Sequence, residues 1–357
     1  MKLLIAAGGT GGHVYPALSV AETFRNEGHC VLFAGRDNSF EKYIYENSGF
    51  QVLNIHSSLL EFSPLPLLRF SLNTARGIKD AFRILKKEKP DAVLGGGGYV
   101  SAPVLFAAFF LGIPYFIYEQ NIIPGRTNRI FGKNARLIFT GFPDIYKFFN
   151  PDRTVFSGNP VRKKLLTTEK SEGLKYFGFS EKLPVLLVFG GSGGARAINE
   201  VFSNICEEFS SKTNVQIIFI TGKRDFEEIS KRVRTSDRLK VLPYLEEMEF
   251  ALSASDFAVS RAGAMTLTEL ALTETPGIVV PFPFARDDHQ FKNALYLKDK
   301  GCVDIIKQDE LSEEVLLNKL VYYFSDISII DKMKCKDIFP RNSAEIIYKS
   351  VMEKINE

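Results

Sequence analysis

The sequence has few cysteines and almost no excess of charge, and each feature excludes a class of protein. The four cysteines, Cys30, Cys206, Cys302 and Cys335, form no CxxC pair and no Cys/His cluster. We therefore expect no zinc site, and unpaired thiols in a reducing compartment. The net charge is only +3, which argues against a nucleic-acid partner.

Long apolar runs are also missing. The longest, Val104–Leu111, is shorter than the ~20 residues that span a bilayer. The run at the N-terminus, Leu3–Ala7, is shorter than the ~7–15 apolar residues of a signal peptide and is followed by glycines. We interpret it as a strand, and expect a cytosolic protein or one that lies on a membrane surface.

Short apolar runs alternate with helical patterns along the 357 residues. This alternation predicts doubly wound α/β sheets, and the length predicts two domains. The runs predicted to be buried parallel strands are Leu3–Ala7, Val31–Ala34, Ala92–Leu94, Tyr115–Tyr118, Leu137–Thr140, Val185–Phe189, Gln216–Thr221, Leu239–Leu242, Phe257–Ser260 and Gly277–Val280.

An internal repeat supports the two-domain interpretation. A GG-[T/S]-GG motif follows a strand at Gly8–Gly12 and again at Gly190–Gly194, and a second glycine or small-residue loop follows a later strand in each half. Matching parts in the same order predict two similar domains. The boundary is expected near Ser157–Pro160, with the polar residues Leu165–Ser180 as an inter-domain region.

Each GG-[T/S]-GG loop is predicted to leave a strand and enter a helix. Glycines allow the backbone to approach a ligand, and a helix N-terminus favours an anion; the alternative is a tight turn with no ligand. Neither loop is a dinucleotide fingerprint, because Val14 and Arg196 stand where GxGxxG requires glycine. His13 occurs only in the first loop. It is either a general base or a cap of its own helix.

A third segment, Ser260–Glu269, offers loop amides for a diphosphate and Glu269 for a ribose. Its alternative is a capping box from Thr266 to Glu269. In Asp287–Gln290, two adjacent acids without a further cluster are weak evidence for a metal. We interpret that segment as a set of polar contacts to sugar hydroxyls.

Together these motifs resemble the MurG-type N-acetylglucosaminyltransferases over nearly the whole chain and in the family's order. The segments that carry the resemblance are Gly8–His13, Gly95–Ser101, Glu119–Asn121, Gly158–Arg162, Gly190–Ala195, Ser260–Glu269 and Pro281–Asn293. Two positions depart from the family pattern. Tyr118 stands where many relatives have histidine, and Leu245 replaces the commoner isoleucine.

The resemblance implies a GT-B fold of two Rossmann-like domains. Residues 1–159 would form an acceptor and membrane-side domain, and residues 160–339 a donor domain. A helix at about 340–357 would pack back on the first domain. The implied reaction moves N-acetylglucosamine, with inversion, from UDP-N-acetylglucosamine to the 4-hydroxyl of undecaprenyl-pyrophosphoryl-N-acetylmuramyl-pentapeptide. It needs neither a metal nor a cofactor.

The resemblance also assigns residues. His13 is the preferred base, although Glu119 or a water-linked group remains open, and Tyr99 lies on the acceptor side. The donor residues implied are Thr10, Gly11, Gly12, Asn121, Arg162, Ser192, Leu245, Ala264, Met265, Thr266, Leu267, Thr268, Glu269 and Gln290.

A lipid acceptor implies contact with a membrane. Residues 59–90 combine apolar and basic side chains, Phe109–Leu111 add an apolar group, and basic residues at 126, 129, 133 and 136 are spaced as one helical face. This predicts peripheral binding to anionic lipid at the cytoplasmic face of the cell membrane, and cell-wall synthesis proteins as partners. The alternative is an ordinary core with solvated charges.

Three other functions fit parts of the pattern. A UDP-sugar epimerase would share the fold but require no lipid. A nucleotide-binding regulatory protein would show no turnover, and another glycolipid transferase would use a different acceptor. Release of UDP that depends on the lipid acceptor separates them.

Overall fold

The computed structural model describes residues 1–9, 11–37, 39–57, 64–191 and 193–357. The chain forms two compact units: unit 1 comprises Met1–Arg162 and Pro340–Glu357, and unit 2 comprises Lys163–Phe339. Thr10 and Ser192 lie outside the described residues, as do residues 59–63 of the apolar and basic segment.

Strands and helices alternate along unit 1. Its strands are β1 (Lys2–Ala6), β2 (Cys30–Gly35), β3 (Gln51–Asn54), β4 (Ala92–Gly95), β5 (Tyr115–Glu119), β6 (Ile138–Thr140) and β7 (Thr154–Phe156). Its helices are α1 (Gly11–Asn26), α2 (Phe40–Asn47), α3 (Pro64–Glu88), α4 (Gly98–Leu111), α5 (Arg126–Phe131) and, after unit 2 in the chain, α15 (Ser343–Asn356).

Unit 2 repeats this alternation. Its strands are β8 (Val185–Phe189), β9 (Gln216–Ile220), β10 (Leu239–Leu242), β11 (Phe257–Ser260), β12 (Gly277–Val279) and β13 (Val303–Ile305). Its helices are α6 (Lys163–Thr167), α7 (Lys170–Phe177), α8 (Arg196–Lys212), α9 (Phe226–Arg232), α10 (Met248–Ala254), α11 (Ala264–Leu272), α12 (His289–Asp299), α13 (Glu313–Ser325) and α14 (Ile327–Lys332).

Each unit contains one parallel sheet. The strand order is β3-β2-β1-β4-β5-β6-β7 in unit 1 and β10-β9-β8-β11-β12-β13 in unit 2, so the two halves share a topology, as the internal repeat predicts. The order reverses direction between β1 and β4 and between β8 and β11. Ligands of open α/β sheets bind at the carboxyl ends of strands beside such a reversal. The glycine-rich motifs follow these same four strands.

Alternate residues of β1 enter the two core layers that cover the sheet of unit 1. Leu3 and Ile5 pack with residues of α1 and α15, whereas Leu4 and Ala6 pack with residues of α4. A parallel strand covered on both faces needs apolar side chains at every position. This explains why β1, and likewise β5, β8 and β9, could be recognised as continuous apolar runs.

The predicted strands all correspond to observed ones, but β3, β7 and β13 were missed. All three lie at a sheet edge, and most of their side chains are only partly buried. Each is only three or four residues long and contains a polar residue, so none presents a continuous apolar run. The α/β, doubly wound fold class is confirmed.

Two predicted segments differ from the structure. Residues 165–180 are not a linker: α7 packs against α10 in unit 2, and a Cβ added at Gly173 would lie 2.5 Å from the Phe250 carbonyl oxygen. The basic residues from Arg126 to Arg136 do not share one helix, because α5 ends at Phe131, before Gly132. Glycine is a common stop signal for a helix.

The expectation that all four cysteines are unpaired is wrong. Cys302, just before β13, and Cys335, after α14, form a disulfide with a Cα–Cα distance of 5.4 Å. Cys30 and Cys206 are free thiols. The paired residues are 33 positions apart in sequence, so a search for short spacings could not find them.

Among the described residues, no helix combines the length and the apolar character that crossing a bilayer requires.

Candidate active site

The first glycine loop brings His13 to the carboxyl edge of the unit 1 sheet. Because α1 begins at Gly11, His13 lies in its first turn. A Cβ added at Gly97, in the loop after β4, would lie 3.6 Å from His13 Nε2 and 3.7 Å from each of Asn128 Nδ2 and Gln120 Oε1. The imidazole and two side-chain amides therefore surround the Gly97 backbone. His13 is the third residue of α1, so it lies inside the helix and is not its N-cap. Its role as a base stays a prediction.

Asn128 was not predicted from the sequence. Its Nδ2 donates to the Tyr118 carbonyl and to Glu119 Oε2, at 3.1 and 2.9 Å, which fixes the orientation of the amide. Its Oδ1 is buried and has no hydrogen-bond partner among the described residues. Buried polar atoms are normally satisfied. This acceptor therefore marks a polar site beside Gly97.

The Glu119 carboxylate is held by its own loop. Oε1 accepts from the backbone and side-chain nitrogens of Asn121, at 3.0 and 3.3 Å. Oε2 accepts from Gly125 N and Asn128 Nδ2, both at 2.9 Å. Burial raises the pKa of Glu119, and the four N–H donors oppose that rise. With both oxygens occupied, the carboxylate organises residues 119–128. The geometry favours this role over that of a base.

Tyr99, predicted to lie on the acceptor side, is the second residue of α4. Its hydroxyl donates to Glu41 Oε1 at 3.1 Å, and the Arg36 guanidinium lies 5.5 Å from its ring centroid. Burial and Glu41 raise the pKa of Tyr99 to about 12, against the opposing effect of Arg36. The phenol therefore stays protonated at neutral pH. Neither Glu41 nor Arg36 belongs to a motif recognised in the sequence.

The Gly158–Arg162 segment is tied to the same sheet edge. The Tyr118 hydroxyl donates to Asn159 Oδ1, and Asn159 Nδ2 donates to the Gln120 carbonyl at 3.4 Å. The tyrosine that departs from the family pattern thus holds the ends of two strands together. The Arg162 guanidinium lies 5.4 Å from the ring centroid of Tyr15 on α1, so Arg162 is brought close to the first glycine loop.

In unit 2, the second glycine loop resembles the first in sequence but not in conformation. A Cβ added at Gly194 (φ +72°) would lie 2.7 Å from the Thr221 carbonyl oxygen, so the loop packs against the end of β9. The helix that follows begins at Arg196, after the motif, whereas α1 begins at Gly11, inside it. The two loops therefore present different sets of amides.

The Ser260–Glu269 segment forms the end of β11 and the start of α11. Gly263 is the N-cap and Thr266 lies inside the helix, so the alternative of a Thr266–Glu269 capping box is wrong. Met265, Thr266 and Glu269 are partly exposed. Leu267 and Thr268 are buried, and the Thr268 hydroxyl donates to the Ala264 carbonyl at 2.9 Å. Leu267 N donates to the Gly263 carbonyl at 3.0 Å, so both residues make hydrogen bonds within the start of α11 itself.

Arg261 connects this segment to the loop that follows β12. Its buried guanidinium donates to the carbonyls of Val280 and Pro281 at 3.2 and 3.4 Å, and to Gln308 Oε1 at 2.6 Å. Phe282 N, in that loop, donates to Oε1 of Gln290 on α12 at 2.9 Å. The Gln290 Oε1 position is thereby fixed beside the backbone of the loop.

Two other features of unit 2 bear on the predicted donor residues. Leu245, after β10, is buried. Asp287 and Asp288 both have positive φ, at 53° and 55°, a strained conformation for non-glycine residues that is common at functional sites. In the described part of the chain, no group of three or more His, Cys, Asp or Glu residues is arranged to hold a metal ion.

Comparison with known proteins gives matches along both halves. The model of the glycosyltransferase family 28 N-terminal domain matches residues 3–140, and that of the C-terminal domain matches residues 185–345. A protein of Halothermothrix orenii is 36% identical over 93% of each chain. One of Thermoanaerobacter sp. (strain X514) is 34% identical over 98% of this chain and 99% of its own. Both are named UDP-N-acetylglucosamine–N-acetylmuramyl-(pentapeptide) pyrophosphoryl-undecaprenol N-acetylglucosamine transferase.

Solved structures agree. The crystal structure of Acinetobacter baumannii MurG is 28% identical and covers 99% of both chains with a TM-score of 0.77. A Listeria monocytogenes protein described as a UDP-N-acetylglucosamine 2-epimerase is only 15% identical, with a TM-score of 0.72 over 99% of this chain and 96% of that one. The second likeness shows the fold alone.

We expect Glu119→Gln to destabilise the 119–128 loop. Glutamine has one oxygen, so its NH₂ group must face N–H donors that the carboxylate now satisfies. Losing a buried bond to a charged acceptor costs about 1.5–3 kcal/mol. Urea unfolding measures this, and amide exchange at Asn121 and Gly125 should accelerate. The exposed Glu27→Gln change is the control. Unchanged unfolding and exchange in Glu119→Gln would contradict the role given to the carboxylate.

Proposed function

This chain belongs to glycosyltransferase family 28, among the MurG-type transferases, and on that premise we propose that it makes the lipid-linked disaccharide precursor of peptidoglycan. It transfers N-acetylglucosamine from UDP-N-acetylglucosamine to undecaprenyl-pyrophosphoryl-N-acetylmuramyl-pentapeptide. The observation that carries the proposal is identity of 34–36% over 93–99% of each chain with relatives of that name.

We propose that the reaction is a direct displacement at the anomeric carbon. The 4-hydroxyl of the muramyl sugar attacks and loses its proton to a base, while the bond to UDP breaks and the configuration inverts. The enzyme must therefore supply a base on the acceptor side and stabilise negative charge on the departing diphosphate.

Unit 2 is proposed to bind the donor. The backbone amides of Ala264–Thr266 form the first turn of α11, where N–H groups and the helix dipole favour a diphosphate. Glu269 would accept hydrogen bonds from the ribose hydroxyls, Gln290 would contact the sugar, and Leu245 would pack beside uracil. Leu267 and Thr268 are retained as donor-site residues on the resemblance. Ser192 keeps its proposed place in the donor site on the resemblance alone.

Unit 1 is proposed to bind the acceptor and supply the base. His13 lies beside Gly97 together with Asn128, whose Oδ1 has no partner in the described part of the chain. A substrate hydroxyl or amide N–H would satisfy that oxygen. Thr10, Gly11, Gly12, Asn121 and Arg162 are retained as donor contacts on the resemblance, and Glu119 as the residue that holds Asn121 and Asn128 in place.

The membrane-facing part of unit 1 is proposed to be the end of α4 with the exposed face of α3. Phe109 and Phe110 are 47% and 62% exposed, and Phe110 contacts Phe106, which in turn contacts Phe82 on α3. The side chains of residues 64–72 lie outside what the structure describes; in the rest of α3 the exposed basic side chains are Arg76, Lys79, Arg83, Lys86 and Lys87. An apolar group beside cations suits an anionic leaflet.

This surface is proposed to hold the protein at the cytoplasmic face of the cell membrane. Arg129 is not part of it. Its Nε donates to the Pro124 carbonyl at 2.9 Å and its guanidinium lies 4.9 Å from the Phe148 ring centroid. Association with other cell-wall synthesis proteins stays a prediction.

The proposed function is tested by measuring UDP release from UDP-N-acetylglucosamine with and without the muramyl-pentapeptide lipid. We expect release only with the lipid, together with a disaccharide product. Release or interconversion of the sugar nucleotide without lipid would indicate an epimerase. Binding without any release would indicate a regulatory protein, and activity only with another glycolipid would indicate a different acceptor.

His13→Ala should lower kcat by about 10²–10⁴-fold, the usual contribution of a general base, while UDP still binds to unit 2. Steady-state kinetics and UDP titration measure the two effects. His13→Asn is the companion variant, because asparagine keeps a polar side chain at this position but cannot accept the proton. Turnover that recovers in His13→Asn would show that His13 is not the base.

Replacing both Phe109 and Phe110 by serine should weaken binding to phosphatidylglycerol vesicles by about tenfold or more, since burying one such ring contributes about 1.5–3 kcal/mol. Vesicle sedimentation measures the partition coefficient. Tyr322→Ser, which removes a 58%-exposed ring from unit 2, is the matched control. An equal loss in the control, or no sedimentation of the unmodified protein, would rule out this surface.

A further inference from the structure

We infer that Glu41 is a positioning residue. It holds the Tyr99 phenol so that the phenol oxygen accepts a hydrogen bond from the muramyl-pentapeptide lipid. The inference rests on the proposed function. Glu41 lies on α2, 33 residues after Gly8 at the start of the glycine loop, and belongs to none of the motifs that carry the family resemblance.

Glu41 is 1% exposed and fills the space between the first glycine loop and Tyr99. A Cβ added at Gly8 would lie 3.0 Å from Glu41 Oε1, and one added at Gly9 would lie 3.2 Å from Tyr99 Cε1. The Tyr99 hydroxyl is 3.1 Å from the same Glu41 oxygen. One carboxylate thus contacts both the loop that leads to His13 and the ring at the start of α4.

The helix that carries Glu41 is anchored by other contacts. The Tyr45 hydroxyl donates to the Ala7 carbonyl at 3.0 Å, and its ring stacks on Phe33 at a centroid distance of 3.7 Å. Ser39 caps the helix by accepting from Lys42 N. Since α2 is held independently of Glu41, the position can be changed without removing the helix from the fold.

The direction of the Tyr99–Glu41 hydrogen bond decides which kind of ligand group the Tyr99 hydroxyl can bind. Its pKa of about 12 keeps the phenol protonated, and its one proton is donated to Glu41. The oxygen lone pairs then remain to accept a hydrogen bond. The exposed Arg36 guanidinium lies over the Tyr99 ring, 5.5 Å from its centroid, and so places a positive charge next to the phenol. The ligand group that fits Tyr99 is therefore a hydroxyl or amide N–H of the acceptor.

Four variants test the inference by separate determination of kcat and KM for each substrate. We expect Glu41→Ala to lower kcat/KM for the muramyl-pentapeptide lipid about 5- to 10-fold, the effect of one hydrogen bond. KM for UDP-N-acetylglucosamine should change less than about twofold. Glu41→Gln keeps an oxygen for the phenol and should recover most of the loss. Tyr99→Phe should lose at least as much as Glu41→Ala, and the double variant no more than Tyr99→Phe.

Glu46→Gln, an exposed change on the same helix, is the matched control and should leave all constants unchanged. The inference would be overturned if Glu41→Ala lowered kcat/KM equally for both substrates. It would also be overturned if the loss of kcat/KM in the double variant were the sum of the losses in the two single variants, expressed as free energies. If Glu41→Ala does not fold, Tyr99→Phe removes the same bond from the other side, and unchanged acceptor kinetics there would overturn it too. A failure of the proposed function is distinct, because the unmodified protein would then release no UDP with the lipid.

Discussion

The close approach of two chain segments at the carboxyl edge of the unit 1 sheet is the constraint on which its candidate site depends. A Cβ added at Gly98 (φ +78°) would lie 2.2 Å from the Gly8 carbonyl oxygen, so only glycine permits this contact. With the loops after β1 and β4 in contact through their backbones, His13 faces Gly97, and Tyr99 reaches across to Glu41. Polar groups from distant parts of the sequence are thereby held in fixed positions, which is what catalysis by pre-positioned groups requires.

Unit 2 shows how the same topology can be used differently. Its corresponding loop packs against the end of β9, and its helix begins three residues later in the motif than α1 does. The residue at the histidine position is Ala195, which is buried. The clearest amides for an anion are at the start of α11 instead. The two units therefore share a sheet order, while the amides that each can offer to a ligand depend on where its helices begin.

Much of the fold was predictable because central parallel strands must be apolar at every position, and the glycine motifs mark the turns at their ends. The edge strands β3, β7 and β13 were not, since each is only three or four residues long and a polar residue interrupts its apolar run. Within the site, motifs identified His13 and Tyr99 but not their partners. Glu41 and Asn128 act through tertiary contacts that no local spacing encodes. The Cys302–Cys335 pair was missed for the same reason.

The last helix, α15, has a consequence for how the protein is made. Ala344, Ile347 and Val351 belong to the same core cluster as Leu3 and Ile5, although all of unit 2 lies between them in the chain. A ribosome therefore finishes every residue of unit 2 before it supplies the side chains that complete the unit 1 core. During synthesis, unit 1 is therefore begun first and completed last. Its incomplete core leaves apolar surface exposed to chaperones while unit 2 is translated.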